Sequence, residues 1–232
     1  RSGSMGGLKM LQAKNAVKHG VSLLREGDRF NVLAFASDWT RFKHGLVDAT
    51  FESKAEAKAW VNGQEAAGGT ALCGARIEGM RMGSPDRLFL VVLITDGRPT
   101  VGLRGRTPIL AEIERRVVTH PRVFTFGVGY DLDVELLDSI AEATRGARDY
   151  VEPGQRIDEV TGAFFEKIDQ PVLVAPRLEL GAGVQQIYPR HLRDLFVGDQ
   201  VVVMGRYAKA GDATVVLRGQ RGGEEVVHEY NA

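Results

Sequence analysis

The segment RLFLVVLIT, Arg87–Thr95, restricts the fold more than any other. It is apolar almost throughout and shows no alternation of polar and apolar residues. A run of that kind fits a strand covered on both faces, as in a parallel sheet with helices packed on either side. RVFTFGVG, Arg122–Gly129, predicts a second buried strand. Helical patterns surround these runs. Over Gly7–Arg25, Met10, Ala13, Val17, Val21 and Leu24 form one stripe, with Lys9, Lys14, Lys18 and Arg25 away from it. Gly27 suits the end of that helix. RFNVLAFA, Arg29–Ala36, reads as a strand, and a short polar strand follows near Trp39–Lys43. Ser53–Ala66 reads as a helix with Ser53 as its N-cap. Beyond the break at Gly68–Thr70, helices are predicted over Ala71–Met82, Thr107–Val118, Asp133–Thr144 and Ile157–Ile168, with a short strand in RDYVEP.

Repeated alternation of helix and strand defines an α/β class: a Rossmann-like, mainly parallel sheet flanked by helices. In such sheets ligands sit at the carboxyl ends of the strands. After Pro171 the pattern changes. VLVAPRLELG, VQQIYP, DQVVVMGRYA, DATVVLRGQ and EEVVHEY are short strands separated by Gly, Asp and Pro. They predict a small all-β, sandwich-like module. The expected organisation is an α/β domain over residues 1–170 and a β-rich module over 171–232.

Composition narrows the function. Thirty basic residues balance thirty acidic ones, so no net field draws nucleic acid or an anionic membrane. A single cysteine, Cys73, excludes an internal disulfide framework and a cysteine-based zinc site. Its predicted role is a buried small hydrophobe. No apolar run is long enough to span a bilayer. The histidines are scattered without ligand spacing on a helix. GVGYD at Gly127–Asp131 lacks the third glycine of a dinucleotide loop, and SGSMG lacks the glycine that a hydrolase elbow needs two residues before its serine.

Three polar loops remain. Ser2 and Ser4 stand in RSGSM before the first helix, Thr70 in GGT, and Asp96 in TDG directly after the most apolar strand. All three loops are expected on the carboxyl edge of the sheet. Each alone suits an ordinary structural role, as N-cap or turn residue. Together, hydroxyls and a carboxylate suit a hard divalent cation such as Mg2+, which takes oxygen ligands and keeps several waters. One carboxylate leaves such an ion underneutralised, so an acidic group from a partner is favoured at an open position.

RSGSM before a helix, then GGT, then LITDG, resembles the metal-ion-dependent adhesion site of von Willebrand factor type A domains, over roughly Arg1–Gln170. EGDRFNVLAF, TDGRPTVG and VFTFGVG further resemble the type A domains of inter-α-trypsin inhibitor heavy chains and their bacterial relatives. The resemblance implies a non-enzymatic, extracytoplasmic adhesion module. Ser2, Ser4 and Thr70 would be hydroxyl ligands and Asp96 a carboxylate acting mostly through water. The ion would be Mg2+, with Mn2+ or Ca2+ as substitutes, and the partner a protein offering an acidic side chain. The sequence departs from the family at one place. The motif's leading aspartate, and the central strand that carries it, would precede Arg1. The expectation is therefore a type A domain lacking its first central strand, with weak or no metal binding as it stands. A metal-free type A scaffold and a nucleotide-binding α/β enzyme are the alternative readings.

Overall fold

The computed structural model describes residues 1–232 except 71–77, 85–86, 97–99, 101–105, 117–120, 130–131, 153, 169–170, 182, 190–191, 208–210, 212–213 and 232. The chain divides into two compact units, Arg1–Phe165 and Glu166–Ala232. Cys73, most of the predicted helix Ala71–Met82 and most of the loop after Asp96 lie outside the described residues; residues 78–81 are helical.

In the first unit the two apolar runs are adjacent strands of a three-stranded parallel sheet, with the second run at its centre and the first at its edge among the described residues. β5 (Leu90–Thr95) pairs with β6 (Arg122–Val128), and β6 with β7 (Arg148–Val151). Helices cover both faces. On one, Leu93 and Val123 meet Ile109 and Ile113 of α3 (Arg106–Arg116) and Leu136, Leu137 and Ile140 of α4 (Val134–Ala143). On the other, Val128 and Val151 meet Ala16 of α1 (Leu8–Leu23) and Ile157 of α5 (Ile157–Ile168). Phe124 and Phe126 turn to that second face, with ring centroids 4.7 and 4.9 Å from Phe164. Strand residues alternate between the faces, so both rows must be apolar.

Several features of the first unit differ from the sequence reading. α1 buries Ala13 and Val21 of the predicted stripe and packs Val17 and its C-cap Leu24 beside Phe30 and Ala57, but it also buries Ala16 and Gly20, which the stripe left out. A Cβ on Gly20 would lie 2.5 Å from the Phe165 ring, so the missing side chain lets α5 approach. RFNVLAFA is two strands rather than one. β1 (Arg29–Phe30) pairs with β4 (Val47–Asp48), and β2 (Leu33–Phe35) pairs with β3 (Trp39–Arg41), both antiparallel. Asn31 supplies the break: its amide donates to the carbonyls of Lys43 and Gly45, each at 2.8 Å. Among the described residues, β2 does not pair with β5.

α2 (Phe51–Asn62) begins earlier than predicted. Its N-cap is Thr50, whose side chain accepts from the Ser53 backbone N–H at 3.2 Å; Ser53 is already helical and its hydroxyl donates to the Asp48 carbonyl. Such a cap is worth about 1 kcal/mol.

The second unit is built from antiparallel strands. β8 (Pro171–Leu180) pairs with β10 (Leu195–Phe196) and with β12 (Thr214–Arg221), and β12 pairs in turn with β13 (Glu224–Asn231). A separate ribbon joins β9 (Val184–Tyr188) to β11 (Met204–Tyr207). Asp194 is buried and accepts from the Ala175 backbone N–H at 2.8 Å, satisfying a residue held at φ 49°.

Candidate metal centre

The first loop is shaped by small residues. Ser2 precedes a single 3-10 turn, Gly3–Met5, and Met5 is buried beneath it. Gly7, at φ 70°, then turns the chain into α1. A side chain at that dihedral would be strained.

Backbone bonds fasten this turn to the second loop. Gly3 N–H donates to the Gly68 carbonyl at 2.9 Å, and Ala67 N–H to the Arg1 carbonyl at 2.8 Å. Gly69 N–H donates to Ser37 Oγ at 2.7 Å. Gly68 stands at φ 73°, and a Cβ there would meet Ser37 Oγ at 2.7 Å, so only glycine fits. Thr70 follows and is buried. Its backbone is held by Thr100, whose Oγ1 accepts from Thr70 N–H at 2.8 Å and whose N–H donates to the Thr70 carbonyl at 3.1 Å.

The third loop supplies Asp96, one residue past the end of β5. Its side chain is fully shielded from solvent. Oδ1 accepts from Ser2 Oγ at 3.1 Å and from Ser4 Oγ at 2.9 Å, and the two hydroxyls lie 3.2 Å apart. Oδ2 faces the Lys9 ammonium at 3.1 Å. A buried carboxylate requires such partners, since leaving its charge unpaired would cost several kcal/mol.

The structure thus brings Ser2, Ser4 and Asp96 into one cluster. Thr70 sits in the adjoining loop; among the described residues no hydrogen bond links its hydroxyl to the other three. Lys9, Ser37 and Thr100 are members of the site that motif reading did not find. For Lys9 a signal existed. It lies in the first turn of α1, where the helix dipole disfavours a cation, so a counter-charge was to be sought.

The donor set can be tested against a divalent cation by its chemistry. Every candidate donor is oxygen, as a hard ion requires. A serine hydroxyl that donates its proton to Asp96 keeps lone pairs that can face a cation. Asp96 brings one negative charge to the cluster. By donor type the residues fit Mg2+, Mn2+ or Ca2+. Among the described residues no group of three or more His, Cys, Asp or Glu side chains forms a metal cage, so a bound ion would depend on these hydroxyls.

Loops at the carboxyl end of a helix-flanked parallel sheet, carrying hydroxyls that converge on one aspartate, place the first unit in one class of α/β domain. The chain belongs to the von Willebrand factor type A family, whose domain model matches residues 1–149. Among curated proteins it is 28% identical to inter-alpha-trypsin inhibitor heavy chain H2 of Mus musculus over 216 residues, covering 89% of this chain and 23% of the relative. It is 27% identical to heavy chain H4 of Homo sapiens over 227 residues, covering 91% of this chain and 24% of the relative. The chain therefore spans about a quarter of the length of the curated relatives it matches. Two solved structures share its fold. A von Willebrand factor type A protein from Catenulispora acidiphila aligns with a TM-score of 0.74 at 22% identity, covering 99% of this chain and 63% of that one. The ArnB paralog VWA2 from Sulfolobus acidocaldarius aligns with a TM-score of 0.63 at 15% identity, covering 100% of this chain and 62% of that one.

Proposed function

We propose that this chain is a divalent-metal-dependent protein-binding module. Ser2, Ser4, Thr70 and Asp96 would hold Mg2+, or Mn2+ or Ca2+ in its place. The observation that carries this reading is the convergence of the Ser2 and Ser4 hydroxyls, from the loop before α1, on a single oxygen of Asp96. Asp96 orients both hydroxyls and supplies the cluster's one negative charge. Gly3 and Gly68, joined through their backbones, keep Thr70's loop beside the serines. A bound divalent cation would supply positive charge to which an anionic oxygen attaches. The partner is then a protein presenting an acidic side chain at the carboxyl edge of the sheet. The module is non-enzymatic and acts outside the cytoplasm, as the likeness to inter-alpha-trypsin inhibitor heavy chains supports.

A second reading has its own observation. The Lys9–Asp96 ion pair satisfies the buried carboxylate without any ion, as a metal-free type A scaffold would require. Calorimetric titration with Mn2+ separates the two. The metal-dependent reading requires saturable binding, expected to be weak, that Asp96→Ala abolishes. Equal, negligible heats from both proteins would leave the scaffold reading.

A further inference from the structure

We infer that Lys9 is a resident counter-cation of this site, which competes with a divalent ion for Asp96 and makes capture of the ion depend on an acidic partner. The inference rests on the metal-dependent reading above and concerns how that site is regulated.

The geometry is specific. Lys9 Nζ lies 3.1 Å from Asp96 Oδ2, the oxygen that the two serines leave free. The Asp96 side chain is wholly shielded, while that of Lys9 remains 41% exposed. The lysine stem therefore reaches the carboxylate from the solvent side. Its end rests against Gly129, where the chain leaves β6 at φ 91°; a Cβ there would lie 3.5 Å from Nζ. Lys9 is the second residue of α1, and no acidic residue occupies that first turn. The helix dipole opposes a cation at this end, so Asp96 is the charge that holds the ammonium in place.

Charge determines the consequence. Asp96 contributes −1 and Lys9 contributes +1, a sum of zero for the pair. With the ammonium in place, a divalent ion gains little net attraction to the cluster. A shielded carboxylate feels nearby charge more strongly than one in water, so the competition is felt at the ion's position. An acidic side chain from a partner restores the balance by adding negative charge beside the ion. Linkage then makes the effect mutual: the acidic partner strengthens ion binding by the same factor as the ion strengthens partner binding. Lys9 can yield because its exposed, flexible stem lets the ammonium move into water.

The test compares the unaltered chain with Lys9→Met and Lys9→Arg by Mn2+ titration, and by melting in EDTA and in excess Mn2+. Lys9→Met is expected to bind Mn2+ roughly tenfold or more tightly than the unaltered chain. Lys9→Arg keeps the charge and is expected to match the unaltered chain. In EDTA, Lys9→Met should melt lower, because Asp96 loses its partner, and Mn2+ should restore it. Lys9→Gln serves as the second neutral variant should Lys9→Met not fold. Unchanged or weaker Mn2+ affinity in the neutral variants overturns the inference and leaves the metal reading standing. Absence of Mn2+ binding by every variant, with Asp96→Ala indistinguishable from the unaltered chain in titration, overturns the metal reading and this inference with it.

Discussion

Ser4 Oγ donates to Asp96 Oδ1 at 2.9 Å, although 92 residues separate the two in sequence. Ser2 reaches the same oxygen at 3.1 Å, and Lys9 takes the other. The loop before α1 is thereby tied to the end of the most apolar strand through one buried carboxylate. A candidate binding site and a structural clasp are the same group of atoms.

The two serines should therefore differ in their contribution to stability. Ser2 is buried, whereas Ser4 is exposed. Ser2→Ala is expected to cost about 1–2 kcal/mol, and Ser4→Ala about half of that, because water can replace the lost bond only at the exposed site. Urea denaturation of both variants in EDTA measures this. Both should also weaken Mn2+ binding, whatever their stability.

Gly146 is expected to tolerate no side chain. It closes α4 in a Schellman arrangement: Gly146 N–H donates to the Ala141 carbonyl at 2.9 Å, and Arg145, at φ 55°, donates from its N–H to the Glu142 carbonyl at 3.2 Å. A Cβ on Gly146 would lie 1.9 Å from the backbone oxygen of Val123 in β6. Backbone cannot rotate away as a side chain can. Gly146→Ala should lose about 3 kcal/mol or more, and thermal or chemical denaturation will read the loss.

Thr125 offers a change in the opposite direction. It is fully buried in β6, and its hydroxyl has no hydrogen-bond partner among the described residues. Thr125→Val keeps the shape and removes the unsatisfied polar atom. A gain of about 1 kcal/mol is expected in urea denaturation. A loss would mean that water or another group satisfies the hydroxyl in solution.

Tyr150 makes the fold sensitive to alkali. Partial burial, and then the hydrogen bond its hydroxyl donates to Asp138, raise its pKa above the ordinary tyrosine value. Arg148, 2.7 Å from the same carboxylate, acts in the opposite sense and does not outweigh them. The folded state thus prefers the neutral phenol. Its contribution is complete below the unfolded pKa of about 10 and is lost as pH rises through the higher folded value. Tyr150→Phe should flatten the fall in melting temperature above pH 10. Absorbance near 295 nm should show one tyrosine titrating late in the unaltered chain only.

Much of the fold was legible in the chain alone. RVFTFGVG, which lacks a polar row, forms the buried central strand β6, whereas β5 from RLFLVVLIT is at the sheet edge among the described residues and only half-buried at four of its six positions. The cap of α2 was misplaced because Thr50 and Ser53 are both good capping residues, and only the observed turn shows Thr50 accepting from Ser53. RFNVLAFA was read as one strand because its pattern is unbroken, yet the Asn31 amide takes carbonyls that a continuous ladder would have used. Gly20 was left out of the predicted face of α1 because it carries no hydrophobic side chain to mark it, although the Phe165 ring packs there.

For the candidate site, the sequence by itself determined which residue types could meet: hydroxyls and one carboxylate, in loops at the carboxyl edge of an α/β sheet. Those are local properties, carried by periodicity, turn chemistry and motif order. The tertiary structure decided which atoms meet. It brought both serines to one oxygen of Asp96, left Thr70 in the adjoining loop, and gave the remaining oxygen to Lys9. No local pattern contains that choice, because burial of Asp96 makes its partners obligatory while chain geometry, over some ninety residues, selects which groups can reach it.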